Sequence, residues 1–170
     1  MGAETAGPAV KEPFLRVLVA PQEFKGSLSA EEAASAIAEG IRAACPEWSL
    51  DILPFSDGGP GFIDAVRRAI PAEMSAEVVH DALGRRVTAR YLFLRGVETA
   101  VIEAAQANGV MHIAPNELDP LNADSYGVGE LIAAALATRP RVLAIGVGGS
   151  ATSDGGVTDC RSVVVEITHR

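Results

Sequence analysis

Phe14-Leu-Arg-Val-Leu-Val-Ala20 is a short apolar run, Pro21-Gln-Glu-Phe-Lys-Gly-Ser-Leu28 a loop, and Ser29-Ala-Glu-Glu32 the opening of a helix. The fold class turns on that passage. The run reads as a short, mostly buried strand. Ser29 with Glu32 three residues on is a capping box, in which each side chain satisfies a backbone N–H of the other. Ala30, Ala33, Ala34, Ile37, Ile41 and Ala44 then recur at helical spacing, and Pro46 stops the helix. The pattern then repeats. Trp48, Leu50 and Ile52 alternate with Ser49 and Asp51, which predicts a strand. A loop over Pro54 to Gly61 follows, and Phe62, Ile63, Ala65, Val66, Ala69 and Ile70 give a second amphipathic helix closed by Pro71. Strand, loop and helix twice over imply a parallel sheet with right-handed crossovers.

Beyond Pro71 the texture changes. Met74 to Asp81 and Val87 to Leu94 read as strands joined through the turn Leu83-Gly-Arg-Arg86. Val87, Ala89, Tyr91 and Phe93 alternate, which predicts an antiparallel pair with one wet face. Thr99 to Glu103 is a further strand, 115–125 a loop, Gly129 to Thr138 a helix and Arg141 to Val147 a buried strand. The expected organisation is a frayed tail over 1–13, a partial first α/β lobe over 14–72, a partial second lobe over 73–156 and a tail over 157–170. The fold class is α/β, a Rossmann-like parallel sheet lobe with part of a second, mixed α/β lobe.

The chain has 170 residues, a net charge of -8 and 48% hydrophobic residues, enough apolar content for a core and too much for disorder. The acidic balance argues against a nucleic-acid partner, which wants a basic footprint. No apolar run approaches the ~18 residues of a membrane span, and the N-terminus lacks a basic region followed by an apolar core. Cys45 and Cys160 stand far apart with no metal spacing. The expectation is a reduced, cytoplasmic protein without a membrane partner.

Three loops lie where α/β proteins place ligands, beyond the carboxyl ends of strands. In the first, Lys25 stands between a strand and a helix N-terminus, either as a solvated lysine or as a counter-charge for phosphate. In the second, Ser56-Asp-Gly-Gly-Pro-Gly61, paired glycines allow close backbone approach, and Asp57 either closes a turn or holds magnesium or a substrate hydroxyl. The third, Gly146-Val-Gly-Gly-Ser-Ala-Thr-Ser-Asp-Gly-Gly156, combines glycines, hydroxyls and a carboxylate as a phosphate cradle does. Its match to the dinucleotide fingerprint is weak, because it does not lie in the first βα unit. Glu103 is either a buried acid near a site or an outward one. His80 and His112 have no metal partner at useful spacing and read as structural. Ser125 to Gly129 caps a helix or presents N–H groups to an anion. A nucleophile elbow and a zinc-protease motif are both missing from the sequence.

Taken in order, Phe24-Lys-Gly-Ser-Leu28, Ser56-Asp-Gly-Gly59, Leu83-Gly-Arg-Arg-Val87, Ile102-Glu-Ala-Ala105 with Asn108-Gly109, Tyr126-Gly-Val-Gly-Glu-Leu-Ile132 and Gly148-Gly-Ser-Ala-Thr-Ser-Asp-Gly-Gly156 closely resemble the bacterial glycerate kinase family. The resemblance implies ATP-dependent phosphorylation of glycerate, with Mg2+, in a cleft between two α/β lobes. It assigns catalytic roles to Lys25, Asp57 and Asp154, with Asp57 on either the substrate or the magnesium and Asp154 on phosphate, magnesium or glycerate. It assigns phosphate or substrate contacts to Ser27, Gly58, Gly59, Glu103, Gly148, Gly149, Ser150 and Thr152. Pro60 stands where the family has a glutamate, Phe62 where it has a threonine and Ser153 where it has an asparagine. The resemblance stops at Gly156, and the β-like run Ser162 to Thr168 does not look like the helix that follows in the family. The expectation is a truncated family member. The alternative is an inactive fragment that only binds ligand or partner, with self-association through exposed surface.

Overall fold

The computed structural model describes residues 15–158. The tails at 1–13 and from 159 onward, with Cys160 and the Ser162 to Thr168 run, lie outside the described residues. Ten main elements follow in order: β1 (Arg16–Val19), α1 (Ala30–Ala44), β2 (Ser49–Ile52), α2 (Phe62–Ala69), β3 (Glu73–His80), β4 (Arg86–Leu94), β5 (Thr99–Glu103), α3 (Ala105–Asn108), α4 (Tyr126–Leu136) and β6 (Val142–Gly146). They form a two-stranded sheet, β1-β2, and a four-stranded sheet in the order β3-β4-β5-β6.

The first sheet is parallel, with Val17 opposite Leu50. Its helix α1 begins as the sequence dictates. Ser29 Oγ accepts the Glu32 N–H, and the Glu32 carboxylate accepts the Ser29 N–H at 2.8 Å. Ala33, Ala34 and Ala38 form its buried stripe, whereas Ile37 is exposed. The expectation that β1 is mostly buried is wrong. With two strands and α1 as its cover, the small sheet leaves Leu18 61% exposed and Ile52 also in solvent.

The second sheet is mixed. The β3–β4 hairpin is antiparallel with Val79 opposite Val87, β4–β5 is antiparallel, and β5–β6 is parallel with Ile102 opposite Ile145. Strand alternation sends Ala89, Tyr91, Ala100 and Ile102 to one face, where Val128, Leu131, Ile132 and Ala135 of α4 cover them. Leu92, Leu94 and Val101 point to the other face and pack on Ile63 and Val66 of α2. The wet face expected of β4 is therefore dry at Leu92 and Leu94, since α2 lies over it. This helix, placed by the sequence reading in the first lobe, spends its apolar side on the second sheet. Fully burying each such aliphatic side chain contributes roughly 1.5–3 kcal/mol. Among the described residues β3 and β6 are the two edges of this sheet, and β6, contrary to expectation, is only partly buried, with Val142 and Ile145 exposed.

The helix predicted from Gly129 starts earlier, at Tyr126. Gly127 permits this: a Cβ there would lie 1.7 Å from the His80 carbonyl oxygen. The close approach lets Glu130 reach back to β3, where its carboxylate accepts the His80 N–H at 2.8 Å and lies 3.0 Å from His80 Nδ1. His112 Nε2 lies 3.0 Å from the Ala105 carbonyl. Both histidines serve as structural ties. In the hairpin turn, Asp81 accepts the Leu83 and Arg85 N–H groups and the Arg85 guanidinium. Burial pushes its carboxyl up, but these bonds outweigh it and hold the pKa below the usual carboxylate value. Among the described residues no helix is long and apolar enough to cross a membrane.

Candidate functional site

Both βα loops of the first half open onto one cleft of about 250 Å³. The loop after β1 contributes Glu23 and Lys25, the start of α1 contributes Ser29 and Glu31, the loop after β2 contributes Asp57 and Pro60, and α2 contributes Asp64 and Arg68. The structure thus brings Lys25 and Asp57 together although they are separated by a whole βαβ passage. Lys25 is exposed and makes no ion pair among the described residues. Asp57 is exposed too. Its Oδ1 accepts the Gly59 N–H at 3.1 Å, which fixes the carboxylate in an Asx turn and leaves Oδ2 for a ligand. Ser27 does not face the cleft, because its hydroxyl donates to the Phe24 carbonyl at 3.0 Å.

The α1 N-terminus at the cleft is less of an anion site than its position suggests. The capping box already satisfies two of its N–H groups, and Glu31 and Glu32 place negative charge in the first turn. The cation of the cleft therefore has to come from side chains.

Gly58 and Gly59 are buried, and what approaches their backbone is another loop. A Cβ on Gly58 would lie 3.2 Å from Gly146 Cα, and one on Gly148 would lie 2.7 Å from Gly59 Cα. The Gly148 N–H donates to the Gly58 carbonyl at 3.1 Å. Gly149, at φ +72°, sits under Pro60, whose Cδ a Cβ there would meet at 2.7 Å. These glycines let two loops touch backbone to backbone, a use that the reading as ligand cradles did not foresee.

The third loop spends most of its polar groups internally. Asp154 Oδ2 accepts the Ser125 hydroxyl at 2.7 Å and the Ser125 N–H at 3.1 Å, and Oδ1 accepts the Gly156 N–H at 3.3 Å. Burial raises its pKa, but the bonds from Ser125, Thr158 and Gly156 win and bring it down to about 2. Of the two uses open to Ser125 to Gly129, helix capping or an anion, the N–H of Ser125 meets an anion, and that anion is this carboxylate. Ser153 donates to the Pro120 carbonyl at 2.7 Å. Thr152 Oγ1 accepts from Asn108 Nδ2 at 3.1 Å, the Ala151 N–H donates to the Asn108 carbonyl at 2.8 Å, and Ser150 pairs with Gly109 in an isolated bridge. None of Ser150, Thr152 and Asp154 lines the cleft with Lys25 and Asp57.

Glu103 is 1% exposed and does not line that cleft either. Its Oε2 accepts the Ile63 N–H at 3.2 Å and its Oε1 accepts from Gln106 at 3.2 Å. Gly61, the N-cap of α2, has no side chain to offer, so Glu103 caps that helix from the sheet. Sequence reasoning missed Glu31, Asp64 and Arg68 at the cleft. Only the polar face of α2 signals the last two, and a polar face by itself does not mark a ligand.

Parallel βα units with a cleft at the strand ends, lined by a lysine and a carboxylate, define an α/β protein of ligand-binding layout. The sequence model of the Glycerate kinase family matches residues 17–169. The chain belongs to that family, and the match continues past Gly156, where the sequence reading ended the resemblance. It is 40% identical over 142 residues to a glycerate kinase of Bacillus subtilis (strain 168), covering 84% of this chain and 37% of the relative. A glycerate kinase of Halalkalibacterium halodurans is 37% identical over 152 residues, 89% of this chain and 40% of the relative. A glycerate 2-kinase of Escherichia coli (strain K12) is 38% identical over 142 residues, 84% of this chain and 37% of the relative. The crystal structure of a protein assigned as glycerate kinase 2 of Salmonella typhimurium LT2 superposes with a TM-score of 0.68 at 38% identity, over 87% of this chain and 40% of that one. The chain spans about 40% of the length of these relatives.

Proposed function

We propose that this chain forms one wall of the active site of an ATP-dependent glycerate kinase, which moves the terminal phosphoryl group of ATP to a hydroxyl of glycerate and yields a phosphoglycerate and ADP. The observation that supports this reading is the convergence of Lys25 and Asp57 on one cleft in a chain of this family. Phosphoryl transfer asks a protein for charge neutralisation and alignment. Lys25 supplies a mobile point charge for phosphate oxygens. Asp57, held by the Gly59 N–H with one oxygen free, either orients the attacking hydroxyl or ligates magnesium.

Among the described residues no group of three or more His, Cys, Asp and Glu is placed to hold a metal. Magnesium does not need one, since it takes one or two carboxylates and completes its shell with phosphate and water. Asp57 fits that donor set. Asp154 is less open to a cation than Asp57, because Oδ2 accepts two hydrogen bonds from Ser125 and Oδ1 accepts one from Gly156. Bound beside Asp57, magnesium would neutralise phosphate charge. The roles left to Asp154, Glu103 and the glycines are structural, and Ser150 and Thr152 stand as second-rank substrate contacts from the adjoining loop.

A chain that binds ligand or partner without turnover is the second reading. The exposed Val142 and Ile145 of β6, an edge strand among the described residues, and Val147 just after it favour it, since such an edge suits association. One assay separates the two: ADP release from ATP with glycerate by the purified chain. Turnover that falls about a hundredfold or more in Lys25→Ala is expected on the first reading. Folded protein that forms no ADP and binds ATP equally well with and without Lys25→Ala would favour the second.

A further inference from the structure

The cleft contains an ion pair that the proposed reaction does not use. Arg68 of α2 and Glu31 of α1 both line it and are paired with each other. Their side chains are 44% and 59% exposed, so the pair adds little to stability and opens readily. Glu31 is not needed to start α1, because Ser29 and Glu32 make the capping box without it. The other acids of the cleft differ. Asp64 has its own cation, Arg90, at 3.5 Å, and Asp57 is held by a backbone N–H. The cleft thus presents two kinds of cation. Lys25 is an ammonium with no ion pair among the described residues, and Arg68 is a guanidinium already beside a carboxylate.

That division has a chemical meaning. A guanidinium is a planar fork that matches the two oxygens of a carboxylate, whereas an ammonium acts as a point charge suited to phosphate. A substrate acid has one carboxylate to place, and Arg68 is the cleft residue that the structure shows against a carboxylate, through one guanidinium nitrogen and one Glu31 oxygen. We propose that Arg68 receives the carboxylate of the hydroxy-acid substrate and that Glu31 is its internal stand-in, displaced when the substrate binds. The proposal rests on the reading of this cleft as the acid-binding site and adds the residue that recognises the acid. Lys25 is then left for the phosphoryl donor.

The stand-in arrangement predicts effects of opposite sign from two neighbouring residues. Glycerate binding to the intact chain is followed by ligand-observed NMR titration, with glycerol, which has the hydroxyls and no carboxylate, as the control. Arg68→Ala should weaken glycerate binding about tenfold, the scale of a lost charged hydrogen bond. Glu31→Gln should tighten it by up to about fivefold, the most an exposed pair withholds. Glu31→Gln added to Arg68→Ala should bring no gain, and glycerol should respond to none of them. Both residues are exposed, and a thermal melt of each variant checks that folding is retained. If Glu31→Gln leaves glycerate affinity unchanged or lower, or tightens it equally without Arg68, the stand-in is overturned. If Arg68 and Glu31 variants change nothing while Lys25→Ala abolishes ATP binding, the inference fails and the cleft reading survives. If the chain binds no glycerate, or Lys25, Asp57 and Arg68 variants all bind both ligands as the parent does, both fall together.

Discussion

The loops 54–61 and 146–156 use nearly the same residues and put them to different ends. Each has one aspartate and at least one Gly-Gly pair and hydroxyl: Ser56 with Gly58-Gly59 in the first, and Ser150, Thr152 and Ser153 with Gly148-Gly149 and Gly155-Gly156 in the second. In the first, Asp57 keeps an oxygen free over a cleft. In the second, Asp154 is consumed by Ser125 and Gly156, and the glycines are consumed by contact with the first loop. Composition gives both loops the capacity to hold a ligand. Neighbouring donors decide which one keeps it: the start of α4 offers Asp154 an N–H and a hydroxyl, whereas among the described residues Asp57 receives only the Gly59 N–H of its own loop.

The harshest way to break this contrast is Gly148→Ala. Its Cβ would stand 2.7 Å from both Gly59 Cα and Gly59 N, which are backbone atoms that cannot swing away. A loss of about 2–4 kcal/mol is expected in urea denaturation, and an unchanged midpoint would show that the two loops are not in contact.

Asp154→Asn should cost less, on the order of 1–2 kcal/mol, because the amide keeps the shape and loses the charge. Acid sharpens the point. The folded carboxyl titrates near about 2, below the unfolded value of about 3.9. Its contribution is therefore present above pH ~4 and is lost as pH falls toward 2. Asp81, also lowered, acts in the same direction. The gap between parent and Asp154→Asn stability should close over that window. A gap that stays constant from pH 5 to pH 2 would contradict the assignment.

The smallest effects belong to the cleft. Lys25→Ala and Asp57→Asn should each shift stability by no more than about 0.5 kcal/mol, since Lys25 has no ion pair among the described residues and Asp57 is solvent-exposed. A large stability loss in either would move that residue from the reaction to the scaffold.

What the sequence revealed was what the chain decides locally. The capping box at Ser29 and Glu32 spans three residues, and the alternation of Tyr91 and Phe93 is a property of one strand. The order of the strands and of the three longer helices was legible for the same reason, whereas the single turn α3 was not. Contacts between distant segments were not. Asp154 finds Ser125 at a separation of 29 residues, and Arg68 finds Glu31 across a βα unit. The exposure of β1 depends on how many strands flank it, which its own apolar run does not encode. At the cleft, Lys25 and Asp57 stood out by position after strands, whereas Arg68 was one of two arginines on a polar helix face.

The Glu103 cap of α2 also bears on how the chain is made. Residues 62–69 leave the ribosome well before Glu103, which is synthesised 40 positions after the Ile63 N–H that it accepts. A nascent chain stopped short of β5 would carry an amphipathic helix with no side-chain cap and no sheet beneath Ile63. The side-chain cap and the apolar cover of α2 are therefore both supplied by later-made segments, and the first half of this chain depends on the second for the helix it contains.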